Sequence, residues 1–291
     1  MNNPRARVVP ALLLAVLIWG CVYSSIKYVQ QDIPPTGLAT LRIVFGAGFL
    51  LAILLARGGW PSLTPREWGH VALLGLVGCT AFQLLLIWGL KWTTPSHSAL
   101  LGNASPIFAL FLAWCWLGEL LTWTKVAGIV LTLVGIIAIL RGGPGFSFDP
   151  STLFGDMITL GSSLAWALFT VLGKPFLARH PPLTTTALAL SMGALVLLPF
   201  GAGDLWRLQW GAFSFLIWFN LAFLSLVGSV AYLLWYYALA HAQAGRVAVF
   251  SQLTPVVAMT LSVILGQELL TVPLFLGAGA VIAGVTLTRL G

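Results

Sequence analysis

Aromatic and amide side chains recur in pairs along this sequence, and their chemistry suits binding rather than bond-making. The pairs are Trp19 with Trp166, Gln83 with Tyr232, and Asn103 with Gln252, separated by 147 or 149 positions. An indole presents a flat apolar face and one N–H donor, and an amide presents both donors and acceptors. Together these groups suit a small amphipathic molecule that is stacked and hydrogen bonded.

Three further residues complete the candidate binding set because they lie close to these pairs in the sequence. Tyr23 and Thr170 each follow one of the paired tryptophans by one helical turn. Trp235 begins an aromatic run just after Tyr232. Packing between helices explains the two paired tryptophans as well as a wall that stacks on substrate does, so both interpretations stay open.

Asn103 and Gln252 each precede a proline, at Pro106 and Pro255. Proline lacks an N–H donor and frees a carbonyl about one turn earlier. The polar side chains upstream either satisfy that carbonyl or offer hydrogen bonds to a polar substrate. The sequence alone allows both roles.

No arrangement of residues in the sequence indicates catalysis or metal binding. His97 has no acidic residue within twenty positions, and Cys21, Cys79 and Cys115 lie in apolar runs without metal-ligand spacing. We read His97 and His241 as solvated residues near helix ends, with proton relays as the alternative. We therefore predict no enzymatic activity and no cofactor, with a membrane-embedded enzyme as the rival hypothesis.

The composition indicates which elements must position these side chains. The chain is 59% hydrophobic and only 7% charged, whereas a soluble domain is about 25% charged. Its apolar runs approach the roughly 20 residues that a helix needs to cross a bilayer. They lack the alternation of barrel strands. The 14 basic residues are scattered, which indicates loop charges rather than a nucleic-acid surface.

Ten apolar spans are predicted, which makes the protein an all-α polytopic membrane protein. The spans cover about 8–29, 37–56, 69–90, 98–117, 122–140, 153–173, 184–200, 213–238, 246–266 and 271–289.

The sequence also repeats itself. The letters "ELLT" occupy 119–122 and again 268–271, and Gly128 and Gly135 recur 149 positions later. We predict two five-helix repeats, residues 1–145 and 146–291. Because five is odd, the second repeat enters the membrane inverted, which is an architecture of secondary transporters.

Each copy of "ELLT" stands where a helix begins. Thr122 and Thr271 are predicted N-caps, with Glu119 and Glu268 beside the same helix starts, where negative charge is favoured. A gating or coupling role for the two glutamates is the alternative. The glycines that follow predict close helix packing, within each half or against a neighbouring subunit.

Four motifs together resemble a known family. They are "LIWGCVYSS", "ATLRIVFGAG", "SALLGNASPIFALFLAWCWLGELLT" and its counterpart "VAVFSQLTPVVAMTLSVILGQELLT". Over essentially its whole length the chain resembles the EamA branch of the drug/metabolite transporter superfamily. Within that branch it is similar to YddG-type exporters of aromatic and other amino acids. Lys125 departs from the family pattern, which has a Gln-like residue there.

The resemblance implies export of small amphipathic metabolites, such as amino acids, by alternating access. Export of another metabolite or drug is the alternative. The expected partners are a small-molecule substrate and the lipid bilayer, with no nucleic acid and with a monomer as the working assumption.

With the N-terminus inside, nine basic residues fall on the cytoplasmic side and five on the other side. This bias predicts a multi-pass protein of the inner (plasma) membrane with both termini in the cytoplasm. The carboxylates fall in loops or at span ends, which predicts transport down a gradient without a coupled proton.

Overall fold

A computed structural model describes residues 7–58, 60–93, 101–141, 153–264 and 272–290. Within these ranges every regular element is helical. The α-helices are α1 (Val8–Val29), α2 (Pro35–Ala56), α3 (Pro65–Leu74), α4 (Phe82–Trp92), α5 (Ser105–Leu117), α6 (Trp123–Arg141), α7 (Leu153–Leu177), α8 (Pro182–Trp206), α9 (Phe215–Ala222), α10 (Gly228–His241), α11 (Ala244–Val249), α12 (Leu253–Ile264) and α13 (Val272–Leu290).

Five continuous helical stretches within the described ranges are long and apolar enough to cross a membrane, by length and composition. They are Pro35–Ala56, Pro65–Gly89, Leu153–Leu177, Pro182–Trp206 and Phe215–His241. Shorter apolar helices cover Val8–Val22, Ser105–Leu117, Trp123–Ala138 and Phe275–Thr288. The all-α polytopic architecture is therefore confirmed, and the count of ten spans stays a prediction.

The chain divides into two compact units. The first holds Met1–Leu84 and Leu172–His241, and the second holds Leu85–Val171 and Ala242–Gly291. Each unit therefore draws helices from both the early and the late part of the sequence.

Two π-helical segments lie in the first unit, each between two α-helices. Gly75–Ala81 separates α3 from α4, and Phe223–Val227 separates α9 from α10. The second segment begins 148 positions after the first. A π-helical turn takes in one more residue than an α-helical turn and interrupts the regular i→i−4 bonding.

A glycine on a neighbouring helix packs against each π segment. A Cβ added at Gly46 in α2 would lie 2.9 Å from the carbonyl oxygen of Ser225. A Cβ added at Gly193 in α8 would lie 2.9 Å from the carbonyl oxygen of Gly75. Only a residue without a side chain permits this backbone approach.

Two threonine hydroxyls inside the first unit are satisfied within their own helices. Thr40 donates to the carbonyl oxygen of Thr36 at 2.9 Å, and Thr186 donates to that of Pro182 at 2.7 Å. These bonds to the preceding turn let a polar residue be buried at membrane depth without a separate partner.

The second unit is built around α6 and α13, which pack closely against each other. A Cβ at Gly128 would lie 2.6 Å from the carbonyl oxygen of Gly284, and one at Gly135 would lie 2.7 Å from that of Gly277. Rising numbers on one helix meet falling numbers on the other, so the helices are antiparallel. The expectation that each packs within its own half is wrong, because a small-residue stripe fixes how closely a helix can be approached but not by which partner.

Candidate functional site

Three of the nine candidate binding residues form one aromatic cluster in the first unit. The ring centroids of Trp19 and Tyr232 lie 5.9 Å apart in an edge-on arrangement. Those of Trp19 and Trp235 lie 5.3 Å apart. Trp235 is fully buried, Tyr232 is buried and Trp19 is half-buried. Aromatic pairs at these distances are stabilising beyond the area that they bury.

The local helix geometry explains how these rings meet. Tyr232 and Trp235 are three residues apart on α10, so they share one helix face. Trp19 reaches that face from α1, within an apolar core that also contains Ile18, Val22 and Ala231. The half-exposed indole is therefore backed by two fully packed rings, an arrangement that can serve as a rigid stacking wall.

Gln83 and Tyr23 also lie on helices of the first unit. Gln83 is buried in the first turn of α4, directly after the first π segment. Tyr23 lies within α1, and its side chain is outside the described part of the structure.

In the second unit, Gln252 contacts Asn103. The Gln252 Nε2 donates to the backbone carbonyl oxygen of Asn103 at 3.4 Å. Pro106 supplies no N–H to that carbonyl, and the N–H of Ile107 goes to Ala104. Gln252 therefore satisfies a carbonyl freed by proline, but one in the turn before α5 rather than on its own segment.

The oxygen of the Gln252 amide is unusual because it is buried without a hydrogen-bond partner among the described residues. Gln252 is fully buried, and its Oε1 has no hydrogen-bond partner among the described residues. Because Nε2 is the donor to a carbonyl, the orientation of the amide is fixed. The Oε1 of Gln252 is thus a buried acceptor without a partner among the described residues.

Trp166 and Thr170 occupy one face of α7 in the second unit. Both are buried, and the rings of Trp166 and Phe169 lie 5.5 Å apart. The structure thus groups Trp19, Tyr232 and Trp235 in the first unit and pairs Asn103 with Gln252 in the second. A role of all nine residues in one binding site stays a prediction.

An apolar groove of about 350 Å³ lies on α2 and α8. Its lining includes Trp60, Trp68 and Leu188 but none of the nine candidate residues. With aliphatic and indole walls, it fits lipid rather than a polar solute.

One polar cluster was missed by the sequence reading. We call Glu119, Lys125, Gln243 and Arg246 the helix-start cluster, because they surround the start of α11. Glu119 accepts the N–H of Ala244 at 2.6 Å through Oε1 and that of Gly245 at 3.0 Å through Oε2.

The prediction for Glu119 was therefore wrong about the helix that it serves. Its carboxylate lies at the start of α11, about 125 residues further along the chain, and not at the start of α6. Thr122 does cap α6, because its Oγ1 accepts the N–H of Lys125 at 3.4 Å. Glu268, Thr271 and His97 lie outside the described residues.

Lys125 is buried in this cluster and hydrogen bonded to two neighbouring groups. Its side chain is only 1% exposed, and its Nζ donates to the Leu120 carbonyl oxygen at 2.7 Å and to Gln243 Oε1 at 3.2 Å. The signal in the sequence was the departure of Lys125 from the family pattern. Charges do lie at helix ends, as expected, but Lys125 and Glu119 are buried there.

His241 ends α10 with its Nδ1 2.8 Å from the carbonyl oxygen of Tyr237. Across the described ranges, no group of three or more His, Cys, Asp or Glu side chains could hold a metal ion.

Comparison of the sequence with known proteins identifies its family. The sequence model of the EamA-like transporter family matches residues 7–141 and again residues 153–290. An uncharacterized transporter of Archaeoglobus fulgidus is 31% identical over 84% of both chains. The transporter YyaM of Bacillus subtilis is 28% identical over 91% of this chain and 88% of its own.

Two further comparisons concern substrate and fold. A probable terminal-alkyne amino-acid exporter of Streptantibioticus cattleyicolor is 28% identical over 67% of this chain and 64% of its own. A crystal structure with 21% sequence identity superposes with a TM-score of 0.82, covering 98% of this chain and 97% of that one. This likeness shows the fold alone. The chain belongs to the EamA-like transporter family, and it is a multi-pass membrane transporter rather than an enzyme.

Proposed function

We propose that this transporter exports amino acids or closely similar amphipathic metabolites by alternating access. The aromatic cluster of Trp19, Tyr232 and Trp235 carries the proposal, because a half-exposed indole backed by buried rings suits stacking on an apolar side chain. The relative named as a probable amino-acid exporter supports this substrate class.

The proposed binding residues divide by chemistry. Aromatic rings would stack on the apolar part of the substrate, and amides and hydroxyls would hydrogen bond its polar part. The set is Trp19, Tyr23, Gln83, Asn103, Trp166, Thr170, Tyr232, Trp235 and Gln252. The acceptor at Gln252 Oε1, which lacks a partner among the described residues, suits a substrate ammonium group.

Alternating access would follow from an inverted repeat of two five-helix halves. Three observations support this repeat: the family model matches twice, the π segments recur 148 positions apart, and a glycine packs against each of them. Two related halves of opposite orientation can exchange conformations, which opens the binding site first to one side and then to the other.

The proposed location is the inner membrane, with both termini in the cytoplasm. A cysteine at Gly211, which has open space around it, tests this orientation in a variant whose three native cysteines are replaced. We expect an impermeant maleimide to label it in intact cells. Labelling only after permeabilisation would reverse the orientation.

The function itself is tested by flux. Proteoliposomes that contain only this protein are loaded with labelled phenylalanine, leucine or a non-amino-acid drug, and efflux is measured. We expect amino-acid efflux down its gradient, unaffected by a collapsed pH gradient. Flux of the drug alone favours the alternative substrate, and absence of all flux contradicts transport of these classes.

Trp166→Ala and Trp206→Ala make a matched pair for the same assay, because Trp166 is buried and Trp206 is 92% exposed. At equal expression, we expect the Trp166 variant to lose about five- to hundredfold in efflux, since stacking on an aromatic ring is worth about 1–3 kcal/mol, and the Trp206 variant to lose little. Equal efflux by both variants would leave Trp166 with a packing role only.

A further inference from the structure

The helix-start cluster contains more positive than negative side chains. Lys125 and Arg246 are its cations and Glu119 is its carboxylate. Both oxygens of Glu119 already accept a backbone N–H at the start of α11. The Lys125 ammonium is also occupied, by the Leu120 carbonyl and the Gln243 amide oxygen.

Arg246 is the cation in this cluster with a buried hydrogen-bond donor that lacks a partner among the described residues. Its side chain is half-buried, and its Nε is buried without a hydrogen-bond partner among the described residues. Arg246 lies close enough to Lys125 for its positive charge to disfavour the charged form of that lysine, whereas the Glu119 carboxylate favours the charged form. Arg246 therefore adds a second positive charge beside a single carboxylate, and its Nε–H is a buried donor without a partner among the described residues.

A buried guanidinium donor without a hydrogen-bond partner is costly in a membrane protein. Its planar fork of donors matches a carboxylate better than any other common anion except a phosphate. The Arg246 Nε–H, at the first turn of α11, is therefore a donor that an anionic ligand can satisfy.

The backbone links Arg246 to a residue of the candidate binding set. Between Arg246 and Gln252 the chain takes three α-helical steps of about 100° each and three 3₁₀ steps of about 120° each. The two residues are therefore only about 60° apart around the axis and roughly 10 Å apart along it. Both side chains leave the same side of one segment.

We propose that the Arg246 guanidinium binds the carboxylate of the transported molecule, so that a free carboxylate is a recognition element of this transporter. The proposal rests on the proposed export of amino acids. A lipid phosphate is the less favoured anion, because Arg246 is half-buried beside the buried Lys125 and Glu119 rather than exposed on the surface.

The test uses exchange of labelled phenylalanine by the full-length protein in proteoliposomes. Unlabelled phenylalanine, 3-phenylpropionate (no amine) and phenethylamine (no carboxylate) compete with the labelled substrate. The readout is the half-inhibitory concentration of phenethylamine divided by that of unlabelled phenylalanine. For the wild type we expect a ratio of about 10 to 100, since a hydrogen-bonded charged group is worth about 1.5–3 kcal/mol.

The variants then isolate the guanidinium. Arg246→Gln should bring the ratio close to one, and Arg246→Lys should lower it at least about threefold because an ammonium lacks the planar fork. Arg179→Gln, at an exposed arginine, should keep the wild-type ratio. If Arg246→Gln does not reach the membrane, Arg246→Lys decides the question.

The failures are distinguishable. A wild type that exchanges no amino acid contradicts the proposed function. A wild type that exchanges phenylalanine, with a ratio unchanged in the Arg246 variants, overturns the carboxylate assignment alone. A uniform loss of exchange in Arg246→Gln at an unchanged ratio, together with loss of co-purified anionic lipid, identifies a lipid contact and also overturns it.

Discussion

Two helical stretches, 65–92 and 215–241, each contain a π-helical segment but differ in the side chains around it. Each contains a π segment, and each π segment packs against a glycine of a neighbouring helix. In the first stretch, Thr80 donates its hydroxyl to the Gly193 carbonyl oxygen at 3.0 Å. In the second, the Ser225 hydroxyl is buried without a partner among the described residues.

The residues that follow the π segments differ more strongly. The first stretch continues with the buried amide of Gln83 and is divided between the two compact units after Leu84. The second continues with Tyr232 and Trp235 and stays wholly in the first unit. The shared backbone geometry is thus compatible with different side-chain chemistry in the residues that follow it.

The largest expected difference between the stretches is at their tryptophans. Trp235 is fully buried in α10, whereas Trp88 in α4 is 47% exposed. Trp235→Ala should cost about 3–5 kcal/mol of stability, because it removes a large buried ring and leaves a cavity. Thermal unfolding of the purified protein in one detergent measures this loss. A Trp88→Ala variant that unfolds as early as Trp235→Ala would contradict the difference in packing.

Smaller effects are expected at the glycines that contact the π segments. Gly46→Ala and Gly193→Ala should each cost about 1–3 kcal/mol, because the new methyl group overlaps backbone atoms. Gly48 and Gly203 lie on the same two helices with open space around them, so their alanine variants are the controls. If Gly46→Ala is as stable as Gly48→Ala, the close approach to the second π segment is not a constraint on the fold.

The smallest effects separate the two π segments themselves. Thr80→Val should cost about 0.5–1.5 kcal/mol, because it removes a buried hydrogen bond. Ser225→Ala should be neutral or slightly stabilising, because a hydroxyl without a partner gains nothing from burial. Equal losses in the two variants, measured by the same thermal unfolding, would mean that Ser225 also bonds a partner in solution.

The sequence predicted the features that depend on local chemistry. Apolar run length predicted a polytopic helical protein, and Thr122 was predicted to cap the helix that it does cap. The π segments were not predicted, because one extra residue in a turn leaves no mark on an apolar run. Glu119 was assigned to the wrong helix because its two donors lie about 125 residues away.

For the candidate site, the sequence indicated which side chains are polar or aromatic but not which groups they would contact. Satisfying a carbonyl freed by its own proline was one of two roles left open for Gln252, yet the carbonyl that it contacts belongs to Asn103, in the turn before α5. Lys125 was noted only as a departure from the family pattern, since nothing local indicates that a lysine will be buried and hydrogen bonded to Leu120 and Gln243. Such pairings depend on tertiary packing.

The bond from Gln252 to Asn103 spans 149 residues, which is also the spacing of the repeated "ELLT" letters. In a symmetric pair of identical chains, a residue that touches its own equivalent lies on the two-fold axis. A half-length ancestor that assembled as a dimer would have brought this position against itself, so every substitution there would have been made twice. Fusion into one chain would release that restriction, because the longer amide of Gln252 could then donate to the backbone of Asn103 without a matching change in the other copy.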